Sequence, residues 1–136
     1  MNYKYLFALL LFLIMGLSTM AQRKFGLSKS ELMNILLKEG DQEFMSIGKS
    51  SDGLNYLLYQ HKERPRLMFV YYFNSNGICV SDGVIVPKLE YLDVISSLNK
   101  DYKLIGDDVW EDIDKKLRIR VVPVPGSDNI LIQYNQ

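Results

Sequence analysis

Apolar and polar residues alternate along this chain with two periods, one near four residues and one of two. Leu32, Met33, Ile35, Leu36 and Leu37 recur at helical spacing and predict a helix over residues 30–39. Ser28 or Ser30 can cap it. Ser28 stands three residues before Glu31, the capping-box spacing in which each side chain satisfies a free backbone N–H. Gly40 is placed to end the helix. Residues 44–47 predict a short strand, followed by the polar turn 49–53. Residues 54–60 and 67–73 predict two strands separated by a charged loop with Pro65. Asn76-Gly77 is a hairpin signal, with a return strand at residues 78–80. The triplets Ser51-Asp52-Gly53 and Ser81-Asp82-Gly83 both read as turns.

Pro87 opens a second helix over residues 88–99, with Leu89, Leu92, Val94, Ile95 and Leu98 near helical spacing. Residues 102–105 then predict a strand, and residues 107–114 an acidic connection that holds Trp110. Residues 117–122 begin in strict alternation, Leu117, Ile119 and Val121 on one side and Arg118 and Arg120 on the other, the pattern of a half-buried strand. Pro123, Pro125 and Gly126 make a turn, and residues 130–134 a last strand. The fold class expected is therefore α+β: two helix-plus-three/four-strand units forming one mainly antiparallel sheet with two helices on one face. At an offset of about 60 residues Leu32 matches Leu92, Ile35 matches Ile95 and Phe44 matches Leu104. At that offset residues 54–60 fall on 115–121 and residues 67–73 on 129–135, a similarity of pattern between the halves. One helix and a hairpin bury an apolar face poorly, so pairing two such units makes physical sense.

The segment Gly26-Leu27-Ser28-Lys29-Ser30-Glu31 opens the first helix, and the twofold helix-plus-strands order that follows resembles small exported bacterial domains built like the β-lactamase inhibitor protein. It is also similar to outer-membrane assembly accessory domains, in which a comparable segment opens the first helix. The resemblance covers residues 25–134. It implies an exported domain with a tandem helix-plus-strands fold, and carries over no functional residue.

The start of the chain sets the expected compartment. Lys4 precedes a nearly unbroken apolar run over residues 6–17, shorter than the ~20 residues that span a bilayer comfortably. Thr19 and Ala21 then give small residues at both recognition positions for a cut after Ala21. Residues 1–21 read as a signal peptide, and residues 22–136 as a single α+β domain beginning at Gln22. The expected location is periplasmic or secreted, in a bacterium, with no stable membrane span after cleavage. Lys4 is the only charged side chain before residue 22. The chain has 16 basic and 16 acidic residues, so the domain is nearly neutral and not a nucleic-acid binder working through a broad basic face. Both alanines, Ala8 and Ala21, lie in the leader, which argues against an all-helical bundle.

Chemistry is sparse. One Cys and one His exclude a disulfide framework, a multi-cysteine zinc site and a His-rich centre. Cys79 and His61 are the only nucleophile–base pair on offer. The expected hairpin puts them at opposite ends of the strand at 67–73, roughly 20 Å apart at ~3.3 Å per residue, well beyond hydrogen-bond reach. The acidic run at 107–114 lacks the Gly and terminal Glu of a calcium loop and adjoins Lys115-Lys116. No catalytic residue, metal ligand or cofactor is assigned. The strand faces say more: with helices over the Phe69/Ile119 side, the opposite side is expected to show Met68, Tyr72, Arg118 and Arg120, with Leu57, Tyr59 and Gln133. Tyr and Arg are enriched where interfaces concentrate their energy. Met68, Tyr72, Arg118, Arg120 and Tyr59 are thus the expected binding residues, for a protein partner or an envelope component. The alternatives are a small hydrolase with unidentified carboxylates and a carrier of a small apolar ligand.

Overall fold

The computed structural model of the protein describes residues 24–136; the expected signal peptide lies outside them. Helix α1 spans Lys29–Glu39, starting one residue before the expected 30–39 because Ser28, not Ser30, caps it. The Ser28 hydroxyl accepts from the Glu31 amide (3.3 Å), and the Glu31 carboxylate accepts from the Ser28 amide (2.8 Å). Gly40 ends the helix at φ 73°, a left-handed conformation that glycine adopts without a Cβ penalty.

Four strands follow: β1 (Gln42–Lys49), β2 (Asn55–His61), β3 (Met68–Phe73) and β4 (Cys79–Pro87). A short 3₁₀ turn, Lys88–Glu90, leads into α2 (Tyr91–Asp101), so the second helix begins three residues later than Pro87 suggests. Then come β5 (Lys103–Gly106), β6 (Val109–Asp112), β7 (Leu117–Pro123) and β8 (Asn129–Asn135). All eight join one antiparallel sheet in the order β1-β2-β3-β4-β8-β7-β6-β5. The two longest-range partners in sequence, β4 and β8, meet at its centre.

Two expectations are corrected here. Ser81-Asp82-Gly83 is not a turn but the middle of β4, paired on both sides with β3 and β8. Gly83 is required there for packing: a Cβ would stand 2.5 Å from Leu131 Cδ1 and 3.0 Å from the Ile132 carbonyl. Pairing with two neighbours overrides a local turn preference. The acidic connection at 107–114 is in fact built around strand β6. Asp107-Asp108 forms the turn, with Asp108 at φ 53°, and Trp110 drops into the core at 1% exposure. The indole N–H donates to Asn99 Oδ1 of α2 at 2.8 Å, satisfying its one polar group.

One face of the sheet is covered. Leu32 and Leu36 of α1 and Val94 and Leu98 of α2 belong to the same buried cluster as Leu57, Phe69, Tyr71, Val84, Ile132, Tyr134, Ile119 and Trp110. Both helices thus lie on the Phe69/Ile119 side. A constant offset of about 60 residues does not describe the halves: it would set β2 on β7, whereas β7 is the third strand after its helix.

Candidate binding face

Registers across the sheet fix which side chains share the uncovered face. Tyr72 of β3 stands beside Ser81, Ser81 beside Asn135, Asn135 beside Arg118, and Arg118 beside Glu111. In the adjacent row Val70, Gly83, Gln133, Arg120 and Val109 are aligned, and in the next Met68, Ile85, Leu131 and Val122. The structure therefore brings Met68, Tyr72, Arg118 and Arg120 to one face, in the parity read from their strands.

Leu57 and Tyr59 are not there. Leu57 pairs with Tyr71 and Tyr59 with Phe69, which turns both toward the helices, and Tyr59 is 5% exposed. Residues 54–60 are apolar at both parities, and only pairing with β3 chooses between them. The aromatic residue that β2 does place on the open face is Tyr56. Its ring meets Tyr72 edge-on, with centroids 6.1 Å apart. Ser81 was also hidden from sequence reading by its turn-like context.

The centre of the open face is polar but closed. Gln133 Nε2 donates to Ser81 Oγ (3.2 Å), and that hydroxyl donates to the Tyr134 carbonyl (3.0 Å). Gln133 Oε1 in turn accepts from Arg120 Nη2 at 3.3 Å. Arg120 is thereby steered by a chain of bonds anchored in the sheet, whereas Arg118 has no such anchor and is exposed. Beside them is an open depression of ≈ 790 Å³, walled by Arg118, Arg120, Lys116 and Glu111 over Val109, Ile113 and Leu117. Met68 borders a different depression, of ≈ 750 Å³, with Pro65, Arg66, Pro87, Lys88 and Leu89. The expected residues share a face but not one pocket.

The β1–β2 turn also bears on this face. Asp52 is held below the usual carboxylate range, chiefly by a hydrogen bond from the Ser50 hydroxyl, with a small contribution from the Arg120 charge. Burial raises the Tyr72 hydroxyl, with help from the charge of Asp52 and from Tyr56. The turn thus comes near enough to sense, and be sensed by, side chains on β3 and β7.

The covered side holds an unusual carboxyl. Asp82 is 1% exposed, and neither of its oxygens has a hydrogen-bond partner among the described residues. Burial drives its pKa well up, partly offset by the ammonium of Lys24. Lys24 is itself buried and lies 2.7 Å from Glu39 Oε1. Cys79 is buried in the same region; burial, then the Asp82 charge, pushes its thiol up to about 12. His61 is at the other end of β3: its amide donates to the Leu67 carbonyl, while Cys79 pairs with Phe73. The Cys–His pair is therefore not assembled.

No group of three or more His, Cys, Asp or Glu residues suited to a metal occurs among the described residues. No helix among them is long and apolar enough to cross a membrane. Comparison with protein-family models, curated proteins and solved structures gives no significant match.

Proposed function

We propose that the protein is an exported bacterial binding module, not an enzyme, that contacts a protein partner in the cell envelope through its open sheet face. The observation that carries this reading is the asymmetry of the sheet. Both helices cover one side, while the other presents an edge-on Tyr56–Tyr72 pair and exposed Arg118 and Arg120. Tyr offers rigid contact area at low entropy cost, and Arg a planar donor fork that also stacks on rings. The exposed guanidinium groups of Arg118 and Arg120 are not needed to stabilise the sheet. The recurrence of a helix followed by four strands, meeting at β4 and β8, supports reading the domain as two like units fused into one platform. The leader-like residues 6–17 and the Thr19–Ala21 pattern support export.

The test compares the exported protein with a Tyr72→Ala, Arg118→Ala, Arg120→Ala variant in affinity capture from an envelope extract. Changes at the exposed Arg118 and Arg120 typically cost within about 0.5 kcal/mol each, whereas the half-buried Tyr72, packed on Tyr56, costs more, so the variant is expected to keep its fold with a melting temperature lowered chiefly by the Tyr72 change. It is also expected to lose the captured partner. A folded variant that retains the partner places the interface elsewhere. Mass spectrometry of the exported chain is expected to show it starting at Gln22; full-length protein in the membrane fraction refutes the export reading.

A further inference from the structure

We infer that the partner offers the open face a protein segment bearing two carboxylates, which Arg118 and Arg120 receive together. The inference rests on the binding reading above and adds the chemistry of what is bound.

Charge distribution is the first ground. The open-face positions of β2, β3, β4, β8 and β7 include Tyr56, Met68, Tyr72, Ser81, Gln133, Asn135, Arg118 and Arg120, and none of these positions is acidic. The chain as a whole has equal numbers of acidic and basic residues. The acids of this face stand at its margins, Glu43 on β1 beside Gln60 and Asp52 in the β1–β2 turn, while around the depression Arg118, Arg120 and Lys116 outnumber Glu111. The acid on the same row is Glu111, beside Arg118 at the β6 edge, where it repels a further carboxylate and sets a boundary.

Unmet bonding capacity is the second. Arg118 forms no hydrogen bond or ion pair with any described residue, and Arg120 forms one long bond, at 3.3 Å to Gln133. A guanidinium carries five N–H donors in a fork that matches a carboxylate. Both arginines therefore hold free donors over the depression of ≈ 790 Å³.

Spacing is the third. Arg118 and Arg120 are alternate residues of one strand, so their Cα atoms are roughly 6.6 Å apart at ~3.3 Å per residue. Acids at alternate positions of an extended segment have the same spacing. Val109 and the 66% exposed Ile113 give the depression an apolar lining, which suits a peptide side chain more than a bare anion. The edge-on Tyr56–Tyr72 pair does not present two flat parallel rings, as a base-stacking platform would.

The experiment uses the exported protein, isotope-labelled, and follows the Arg side-chain N–H signals and backbone amides. The probes are a short peptide alternating Glu and Thr and its counterpart with Gln for Glu. The Glu peptide is expected to shift Arg118 and Arg120 in a saturable, salt-sensitive way. The Gln peptide, and the Glu peptide on an Arg118→Ala, Arg120→Ala variant with an unchanged amide spectrum, are each expected to bind roughly tenfold more weakly. Equal binding of both peptides at Tyr72 and the arginines refutes the carboxylate requirement and leaves the binding face standing. Shifts confined to other surfaces, or no binding of either peptide, overturn the inference. Displacement of the Glu peptide by a sulfated polysaccharide that binds more tightly overturns it too. The binding face itself falls only if the envelope partner stays on the Tyr72, Arg118, Arg120 variant, so the two failures are separable.

Discussion

Asp82→Asn isolates one buried ionisation. The carboxyl sits on the covered side of the central strand β4, at 1% exposure and without a hydrogen-bond partner among the described residues. The groups that face it are Tyr71 on β3, Tyr134 on β8, Cys79 on β4 and Lys24 in the segment before α1. Burial raises the pKa of both tyrosines and of the thiol, so these three stay protonated through the neutral range. Lys24 alone favours the carboxylate, and burial outweighs it. The folded-state pKa of Asp82 is thus raised above its unfolded value of about 3.9. Above that pH the unfolded chain releases the proton first. The stability this group contributes is complete below pH ~4 and is lost as pH rises, at up to ~1.4 kcal/mol per pH unit, until the folded carboxyl also ionises. Asn fills the same space and cannot titrate.

Urea unfolding of parent and variant across about pH 4 to 8 measures the difference in stability, from which titrations common to both cancel. That difference is expected to move in favour of Asn as pH rises, at up to ~1.4 kcal/mol per unit, before reaching a plateau. Any constant cost of the Asn amide, which also needs partners, shifts the curve without changing its slope. A difference that stays flat with pH refutes the argument and means that Asp82 is ionised and compensated in the fold.

Cys79, buried and with its thiol pushed up to about 12, is expected to resist a thiol reagent in the native protein and to react quickly in denaturant; rapid native labelling contradicts this. Trp110→Ala removes a 1% exposed indole and leaves Asn99 without its donor, and is expected to cost about 3–5 kcal/mol in chemical unfolding. A loss under ~1 kcal/mol would show that Trp110 does not anchor β6 to α2. Ser28→Ala breaks the reciprocal cap of α1 and is expected to cost about 1 kcal/mol, whereas Ser30→Ala, outside the cap's bonds to the backbone, costs less.

Sequence alone determined the features whose physics is local. The α1 boundaries follow from Ser28, Glu31 and Gly40, whose side chains or backbone freedom act within a few residues. The direction of Arg118 and Arg120 follows from strict alternation with Leu117, Ile119 and Val121, since one parity is apolar and the other charged. Where both parities are apolar, as in residues 54–60, nothing local prefers one face, and register with β3 put Tyr59 in the core and Tyr56 outside. The same applies to residues 81–83 and 107–114, whose polar composition suggests turns and connections. Only the meeting of β4 with β8, and of β6 with β7, gives Gly83 and Trp110 the neighbours that make those segments strands. Tertiary structure also decided that a carboxyl group, Asp82, would lie on the covered side of the sheet while the arginines stayed in water. Burial depends on which distant residues close over a position, and that is settled only when the sheet assembles.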